Sequence, residues 1–546
     1  MLLIIDQSGA NLVNPELLDS EPKKACAVPA QGSPCDELFI RSQPTQVDRP
    51  CRRKRIALAA TILGSSMAFI DGSVVNVALP AIQSDFRASV QAVQWVVNAY
   101  LLFLGSLVLV GGSMGDHFGR RTVFIAGIAL FTLASATCGF APTVQALIAA
   151  RAFQGIGAAL LVPSSLAIIG AVFAGEARGR AIGTWAGVGA ITSALGPVAG
   201  GWLVDALSWR AIFFLNVPLA AVTIALALLS VPDSHEVKAP RQVDWPGAVC
   251  AAAGLAALTY GLTEASVHGF ADSLVLSAIG AGVVVLAVFV RMEAKSRHPM
   301  MPLDVFRSRD FTGANLVTLL LYFGVGGVFF FLPFTLIRAH DYTATQAGAA
   351  LLPAPVIIGL LSRLTGGLTS RFGSRLLLTV GPSVAGIGFA LLALPFARGS
   401  YWSGFFPALA VLGIGMTVTV APLTTTVMNS VPADRAGIAS GINNAVARVA
   451  SLLAIAVLGI VFVWSHDAAL SARLDASRVP QDARVAATSL QPGGQSATAA
   501  GDGHAPPVAQ ADADAIADAL RAVALVAAAC ALAGAGIAAA TIQPRK

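Results

Sequence analysis

Residues 112–121 read GSMGDHFGRR and stand between two long apolar runs, residues 91–112 and 122–141. Each run has the roughly 20 residues that a helix needs to cross a bilayer core of about 30 Å. Helix is the state open to such runs, because lipid offers no hydrogen-bond partner to an exposed backbone. The basic segment between them is typical of a loop at the membrane surface. The sequence therefore predicts two membrane-spanning helices joined by a tight loop.

The same pattern extends along the whole chain of 546 residues. Only 12% of the residues are charged and 56% are hydrophobic, against roughly 25% charged in soluble domains. The apolar runs do not alternate as barrel strands do. We predict an all-α integral membrane protein with fourteen transmembrane helices, and we exclude a large soluble α protein. The runs are 55–78, 91–112, 122–141, 144–170, 180–203, 210–231, 244–263, 272–292, 310–335, 345–363, 375–396, 402–423, 437–464 and 517–541.

Basic residues predict the orientation of these helices, because cytoplasmic loops are enriched in Lys and Arg. The opposite short loops hold little beyond Arg87, Arg210, Arg338 and Arg398. We predict a multi-pass protein of the plasma (inner) membrane with both termini cytoplasmic. The formal net charge of +6 reflects this bias, and no basic stripe suggests nucleic acid as a partner. The loops of the cytoplasmic side hold Arg52, Arg53, Lys54, Arg55, Arg120, Arg121, Arg178, Arg180, Lys238, Arg241, the basic residues of 291–309, Arg363, Arg371, Arg375, Arg435, Arg545 and Lys546.

An internal repeat divides the chain. Residues 366–375 read GGLTSRFGSR and follow the tenth run as 112–121 follow the second. Duplicated halves are typical of alternating-access carriers. We predict an N-terminal six-helix bundle at 55–231, an inserted helix pair and linker at 232–309, and a C-terminal six-helix bundle at 310–546.

Two polar segments flank these parts. Residues 1–54 are predicted to be a disordered cytoplasmic tail. Residues 465–516 are rich in Ala, Gly, Asp, Gln and Ser, and we predict a flexible external loop there, with a folded external domain as the alternative. The six cysteines and the dispersed histidines suggest no disulfide framework and no metal site.

Asp71 and Arg151 are ionisable residues inside apolar runs, where a charge costs at least about 2.5 kcal/mol on insertion scales. Each lies seven residues from the outer end of its run, roughly 10 Å deep. A neighbouring guanidinium stabilises a carboxylate as the anion, whereas desolvation favours the neutral form, so Asp71 can load and release a proton. We predict Asp71 as the proton carrier and Arg151 as its modulator. The alternative is a fixed structural ion pair.

Two further groups of residues are candidates. Asn444 and Arg448 share a helix face at i,i+4, and they are predicted either to line a substrate cavity or to hold helices together. Gly196, Pro197, Gly200 and Gly201 lie in the fifth run, where proline can kink the helix and glycines allow a close neighbour. A plain packing helix is the alternative there.

These segments together resemble the major facilitator superfamily. The loop 112–121 is similar to its signature G-x-L-a-D-r-x-G-R-[RK], with Met114 and His117 at variant positions. Residues 70–80, IDGSVVNVALP, and 95–102, WVVNAYLL, resemble segments of its fourteen-span drug:proton antiporter family. So do residues 151–159, RAFQGIGAA. The motif GPVAGG at 196–201 resembles the antiporter segment, although Thr192 stands where glycine is common.

The resemblance implies two six-helix bundles plus an inserted helix pair, and a proton-coupled antiporter that exports small amphipathic or cationic compounds by alternating access. It implies small-molecule, proton and lipid partners, a functional monomer and no cofactor. Asp71 would exchange the proton, with Arg151 and Gln154 tuning it. The implied substrate cavity holds Asn76, Asn98, Tyr100, Gln154, Asn444 and Arg448, and the implied conformational latch holds Gly112, Asp116, Gly119, Arg120 and Arg121.

Two other functions stay open at this stage. One is a dedicated transporter of a single metabolite on the same fold. The other is a membrane receptor or scaffold that transports nothing. An enzyme is not predicted, because the sequence has no cluster of His, Asp, Glu or Cys, and an ATP-driven pump is disfavoured because it has no GxxxxGK[ST] motif.

Overall fold

The computed structural model describes residues 54–173, 175–232, 244–296, 299–366, 371–394, 400–432, 435–476 and 505–543. The predicted tail, residues 1–54, lies outside the described residues except for Lys54, the first residue of the first helix. The described part is helical throughout its regular structure. Fourteen of its helical segments are long and apolar enough to cross a membrane, which confirms the predicted fold class.

The first half contains α1 (Lys54–Phe86), α2 (Val90–Phe118), α3 (Arg120–Gly139), α4 (Val144–Val172), α5 (Gly175–Ala206), α6 (Ala211–Phe214) and α7 (Asn216–Ser230). Next come α8 (Trp245–His268), α9 (Ser273–Lys295) and a 3-10 turn at Leu303–Arg307. The second half contains α10 (Arg309–Ala339), α11 (Ala344–Ala350), α12 (Pro353–Gly366), α13 (Ser374–Leu392), α14 (Phe405–Asn429), α15 (Ala436–Ala476) and α16 (Ala505–Thr541).

Short connections turn successive spans back on each other. We call the end of the bundle where α1 begins, at Lys54, the near face, and the end where α1 stops, at Phe86, the far face. Side-chain caps fix several helix starts: Ser89 accepts from the backbone N–H of Ala92, and Thr143 accepts from that of Ala146. Such caps satisfy N–H groups that have no partner within the helix.

Two spans are broken where the sequence predicted continuous runs. The run 210–231 is divided into α6 and α7 at Leu215, and the run 345–363 into α11 and α12. Pro353 begins α12, where its missing N–H removes no helical hydrogen bond. The residue before a proline disfavours helical dihedrals, which accounts for the second break.

The loop predicted at 112–121 is shorter in the structure. Helix α2 continues to Phe118, so Gly112 lies within a helix and makes no turn. The turn is made by Gly119, whose φ of 99° lies in the region that favours glycine. Gly373, with a φ of 76°, precedes α13 at the equivalent place in the second half. The repeated sequence therefore places a left-handed glycine at both junctions.

The prediction of a flexible loop at 465–516 is wrong at both ends. Helix α15 has 41 residues and α16 has 37, so each is about 55–60 Å long, against a bilayer core of about 30 Å. We call residues 465–476 of α15 and 505–518 of α16 the far-face extension. Alanine, the best helix former, is frequent in this segment and outweighs its polar character. Residues 477–504 lie outside the described residues.

Contacts between the two helices stabilise the far-face extension. Leu470 and Leu474 of α15 pack against Val508, Ala511 and Ala515 of α16. Arg473 forms an ion pair with Asp518, which also accepts from Arg521 at 2.9 Å. The segment therefore has an apolar core of its own beyond the membrane portion of the helices.

The inserted pair meets the rest of the protein through α8. Helix α8 packs against both α2 and α15, while α9 packs mainly along α8. Gln91 of α2 donates to the Ser266 hydroxyl of α8 at 3.0 Å, and Ile460 of α15 packs against Ala265 and Val275. The domain boundaries predicted from the sequence stay predictions, but α8 contacts a helix from each half.

Glycines allow backbones of the first half to approach closely. A Cβ added to Gly111 would lie 1.9 Å from the carbonyl oxygen of Ala159, and one on Gly155 would lie 2.5 Å from that of Tyr100. A Cβ on Gly112 would meet only the Pro163 side chain, at an ordinary 3.7 Å. Adjacent glycines of α2 therefore differ sharply in the space around them.

We predict that Gly111→Ala lowers the free energy of unfolding by about 1–3 kcal/mol, because the methyl group must push two helix backbones apart. Gly112→Ala is the matched control and should leave stability unchanged or slightly higher, since alanine favours helix. Thermal unfolding of the purified variants measures the difference. Equal melting temperatures for the two variants would contradict the packing described here.

Candidate functional site

A buried ion pair joins α1 and α4 within the first half. The Asp71 Oδ2 and the Arg151 Nη1 are 2.5 Å apart, and both side chains are 1% exposed. The Gln154 Nε2 donates to the Asp71 Oδ1 at 2.8 Å, and the Gln154 Oε1 accepts from the Arg151 Nη1 at 2.8 Å. The three side chains form a closed ring in which both oxygens of Asp71 are engaged.

The arginine has further partners that do not depend on Asp71. Its Nε donates to the Val96 carbonyl oxygen at 3.0 Å. Its guanidinium carbon lies 4.3 Å from the ring centroid of Tyr100 and 6.0 Å from that of Phe213, within the range of cation–π attraction. Arg151 is therefore fixed in place even when the charge on Asp71 changes.

The structure brings together Asp71, Arg151, Gln154 and Tyr100, but Asp71 and Arg151 are not equally far from the ends of their helices, as the sequence had suggested. Helix α1 continues to Phe86 instead of stopping near residue 78. Asp71 therefore lies further from the end of its helix than Arg151 lies from the start of α4 at Val144. Contact is possible because helices that cross at an angle need not share end positions.

The other predicted cavity residues are dispersed. Asn98 is fully buried, and neither its oxygen nor its nitrogen has a hydrogen-bond partner among the described residues. Asn76 is half-buried, and its buried oxygen likewise has no partner within the described part of the chain. Asn444 is exposed. None of these three contacts the ring around Asp71 in the described hydrogen bonds.

Arg448 lies where α15 meets α2. A Cβ on Gly105 of α2 would be 3.1 Å from the Cβ of Arg448. Arg448 is half-buried and lies between α15 and α2 at the level of Gly105.

Asn444 was predicted from the sequence, but its neighbour Asn443 is the residue that bonds to another helix. The Asn443 Nδ2 donates to the Thr318 hydroxyl at 2.6 Å and to the Asn315 oxygen at 3.2 Å, which joins α15 to α10. The periodicity of apolar residues could not distinguish two adjacent asparagines. The face that meets α10 becomes evident once α10 and α15 are packed together.

The predicted latch residues tie helices of the first half at the near face. The Asp116 Oδ1 accepts from the Arg120 Nε at 3.0 Å and from its Nη2 at 2.8 Å. Arg120 also donates to the Ala167 carbonyl oxygen at 3.3 Å, and Arg121 to that of Val231 at 3.4 Å. Asp116 lies in the last turn of α2, where the helix dipole disfavours an anion, so its charge is balanced by the ion pair with Arg120.

The segment with Gly196, Pro197, Gly200 and Gly201 packs on two sides. Toward α1, a Cβ on Gly196 would lie 2.3 Å from the Ser73 hydroxyl oxygen, and one on Gly200 would lie 1.8 Å from a Val74 methyl group. Toward α11 of the second half, a Cβ on Gly201 would lie 2.3 Å from the Ala344 carbonyl oxygen. Gly348 of α11 approaches the Pro197 carbonyl in the same way. These residues therefore join the halves as well as packing α5 on α1.

Polar contacts reinforce this junction at the far face. Asp205 at the end of α5 accepts from the backbone N–H groups of Ala344 and Thr345, at 3.1 and 2.8 Å, and from the Thr345 hydroxyl at 2.6 Å. It thus caps α11 from across the interface. Arg338 of α10 donates to the Pro80 carbonyl oxygen at 3.1 Å and to the Ser84 hydroxyl. The far face is held closed by these contacts.

No group of His, Cys, Asp or Glu within the described ranges has the arrangement of a metal site. The arrangement places a carboxylate, a guanidinium and an amide together in the interior, and the contacts of Asp205 and Arg338 across the halves at the far face.

Comparison with known proteins decides the family. A sequence model of the Major Facilitator Superfamily matches residues 61–455. The chain belongs to the major facilitator superfamily.

Three relatives match this chain over about three quarters of its length. The multidrug resistance protein Stp of Mycobacterium tuberculosis is 34% identical over 425 residues, which cover 78% of this chain and 79% of Stp. The tetracenomycin C resistance and export protein of Streptomyces glaucescens is 32% identical over 414 residues, with 74% and 75% covered. A puromycin resistance protein of Streptomyces alboniger is 34% identical over 427 residues, with 77% and 84% covered.

Solved structures agree on the fold. A bacterial homologue of the human lysosomal transporter Spinster, in an inward-facing and unoccupied conformation, has a TM-score of 0.62 at 17% identity and covers 90% of this chain and 98% of its own. The family predicted from the sequence is confirmed, and this member of the superfamily is a multi-pass membrane transporter of the drug-efflux type. As such it binds a small-molecule substrate.

We predict that Asp71→Asn lowers the free energy of unfolding by about 3–5 kcal/mol, because Arg151 then keeps a buried charge without its counter-ion. The double variant Asp71→Leu, Arg151→Met should recover most of the loss, since it removes both charges. Thermal unfolding in detergent measures both. Asp304→Asn, which breaks an exposed pair with Arg435, is the control and should leave the melting temperature unchanged. An Asp71→Asn protein as stable as wild type would contradict the buried-pair assignment.

Proposed function

We propose that this chain exports small amphipathic compounds in exchange for protons, by alternating access, as a monomer in the plasma membrane. The near face would lie in the cytoplasm. The orientation is supported by the excess of Lys and Arg in the near-face loops. The export of drug-like compounds is supported by the printed names of the relatives, which describe resistance and export.

The observation that supports proton coupling is the burial of Asp71 away from solvent. It is fully buried, its charge is balanced by one guanidinium, and its other oxygen accepts a hydrogen bond from the neutral Gln154 amide. Protonation would remove the attraction to Arg151, while Arg151 keeps Gln154, the Val96 carbonyl and the Tyr100 ring. The ring would then carry a net positive charge in a medium of low dielectric constant, which is costly. A change of conformation that admits solvent lowers this cost, so protonation and access to the site are linked.

Alternating access requires the far-face junction to open. The contacts made by Asp205 and Arg338 join α5 to α11 and α10 to α1, so each must break when the halves separate there. Their partners are backbone groups and hydroxyls, and water can satisfy the N–H groups of Ala344 and Thr345 at the helix start after separation. The junction is therefore strong enough to select the closed state and weak enough to be reversed.

Transport in proteoliposomes with an imposed pH gradient tests the proposal. Tetracenomycin C and puromycin, the compounds in the relatives' names, serve as probes. We expect wild-type proteoliposomes with an acidic lumen to accumulate a probe against its gradient and to release luminal protons as they do so. Asp71→Asn should lose the gradient-driven accumulation, because the side chain can no longer exchange a proton, yet retain probe exchange without a gradient. Undiminished proton-driven transport by Asp71→Asn would refute the assignment.

A transporter dedicated to one metabolite is the second candidate, and a receptor or scaffold the third. A susceptibility and uptake panel separates the first two, since a dedicated carrier has a narrow profile. A receptor would bind a probe without counterflow. Transport, and not catalysis, is proposed because the names of the relatives describe resistance and export.

We predict that Asp205→Ala opens the far face, because α11 loses its cap from the first half. Spin labels on cysteines at Leu207 and Trp402, each 70% exposed, report the distance between the halves by double electron–electron resonance. The variant should show a larger population at long distance. Asp85→Ala is the matched control, since Asp85 bonds Trp209 and Arg210 of its own half, and it should leave the distribution as in wild type. An unchanged distribution in Asp205→Ala would show that the cap does not hold the junction.

A further inference from the structure

A stripe of buried polar side chains lies between α2 and α8, separate from the ring around Asp71. Helix α2 contributes two glutamines and an asparagine, and α8 contributes a serine and two threonines. Each of these side chains belongs to a residue that is more than nine-tenths buried. We call the set the α2–α8 polar seam; its members are Gln91, Gln94, Asn98, Thr259, Thr263 and Ser266.

The outermost pair of the seam shows how the two helices are aligned. The Gln91 Nε2 donates to the Ser266 hydroxyl at 3.0 Å. Gln91 is near the start of α2 and Ser266 is near the end of α8, so the helices run in opposite directions. Residues at equal distances inward from this bond therefore lie at the same level, because both helices rise about 1.5 Å per residue.

Two inner pairs follow at the same spacing on both helices. Three residues inward, Gln94 is level with Thr263, and seven residues inward, Asn98 is level with Thr259. Successive steps of three and four residues keep the side chains on one face of a helix. The seam is therefore a ladder in which an amide side chain faces a hydroxyl at each of three levels.

The inner two levels hold polar atoms without a protein partner. The amide oxygen and nitrogen of Gln94 and Asn98, and the hydroxyls of Thr259 and Thr263, find no hydrogen-bond partner within the part of the chain that the structure describes. A buried amide or hydroxyl in that condition is costly. Buried polar groups are normally paired with protein or with ordered water, so each inner level has three polar atoms to satisfy.

Side-chain length and packing keep the inner pairs from bonding directly. Asn98 is one methylene group shorter than Gln91, which reaches its own partner. Gln94 lies against α15, since a Cβ added to Gly459 would be 2.1 Å from its Nε2. Three hydrogen bonds are what a buried water molecule typically makes, and each inner level offers three atoms for them.

We propose that the α2–α8 polar seam binds water, with one molecule between Gln94 and Thr263 and one between Asn98 and Thr259. The ligand class follows from the chemistry of the two levels. Amides and hydroxyls offer donors and acceptors but no charge, so they match a small neutral molecule that both donates and accepts. The direct bond of Gln91 closes the row toward the far face.

Bound water affects how the inserted pair is attached to the first half. At the outer level of the seam α8 is joined to α2 directly, and at the inner levels it is joined through water. A water-mediated hydrogen bond is nearly as favourable as a direct one, and water can change partners when the helices shift. The inference stands apart from the proposed transport, since it rests on the packing of α2 against α8.

Radiolytic labelling read by mass spectrometry tests the proposal on full-length protein in nanodiscs. Irradiated bound water forms hydroxyl radicals that oxidise adjacent aromatic rings. The rings of Trp95 and Tyr260 have centroids 6.4 Å apart and follow Gln94 and Thr259 in the sequence. We expect both rings to be labelled even when a scavenger removes radicals from the bulk solvent, whereas the fully buried Phe124 stays unlabelled. Absence of label on Trp95 under these conditions would overturn the inference.

A substitution at Thr259 separates a hydrated seam from a dry one. Valine has the shape of threonine without its hydroxyl, so Thr259→Val leaves the bound water with one partner fewer. We expect the label on Tyr260 to decrease and the melting temperature to fall by about 2 °C, the shift that one hydrogen bond gives in a large domain. In a dry seam the same change removes an unpaired polar group, so a melting temperature that rises or stays the same contradicts the proposal.

Thr223→Val on α7 is the matched control. The Thr223 hydroxyl is equally buried, but it donates to the Leu219 carbonyl oxygen of its own helix at 2.6 Å. Such a bond adds little to the stability of a helix. The control should leave the melting temperature and the label on Tyr260 as in wild type.

Discussion

A charge buried at membrane depth must be balanced, and the ion pair between Asp71 and Arg151 meets this constraint in the first half. Hydrocarbon offers no solvation, so the pair is stable only with its remaining hydrogen bonds satisfied. Gln154 and the Val96 carbonyl supply them. The packing of α1, α2 and α4 serves this arrangement, because glycines such as Gly155 bring α4 against the backbone of α2. The close packing of these helices therefore also positions the residues of the buried site.

The two ends of the molecule differ in which parts their polar contacts join. At the near face, Asp116, Arg120 and Arg121 bond within the first half. At the far face, Asp205 and Arg338 bond across the halves. Backbone groups at helix ends are the partners in several of these contacts, and such groups exchange protein for water at little cost. Polar contacts between the halves therefore close the far face. The close packing of the halves there depends on Gly201 and Gly348.

Much of this follows from the sequence, and the failures have identifiable causes. Hydropathy located the spans because lipid imposes one length scale, and Asp71 and Arg151 stood out because charge inside an apolar run is rare. Asp205 and Arg338 could not be distinguished from ordinary charges at span ends. The helical far-face extension was missed because polar composition was read as loop, although its alanine content favours helix. Asn443 was missed because only packing reveals which of two neighbouring asparagines meets α10.

The inserted helix pair, α8 and α9, affects how the two halves can move relative to each other. Helix α8 packs against α2 of one half and against α15 of the other. A movement of the halves relative to each other would therefore slide α8 along one of these two helices. The Gln94 amide of α2, and the hydroxyls of Thr259 and Thr263 on α8, are buried and find no hydrogen-bond partner among the described residues. Beside them, the hydrogen bond from Gln91 of α2 to Ser266 of α8 ties α8 to the first half. Under the proposed alternating access, lipids that press α8 and α9 against the bundle should slow the separation of the halves, because α8 contacts both of them.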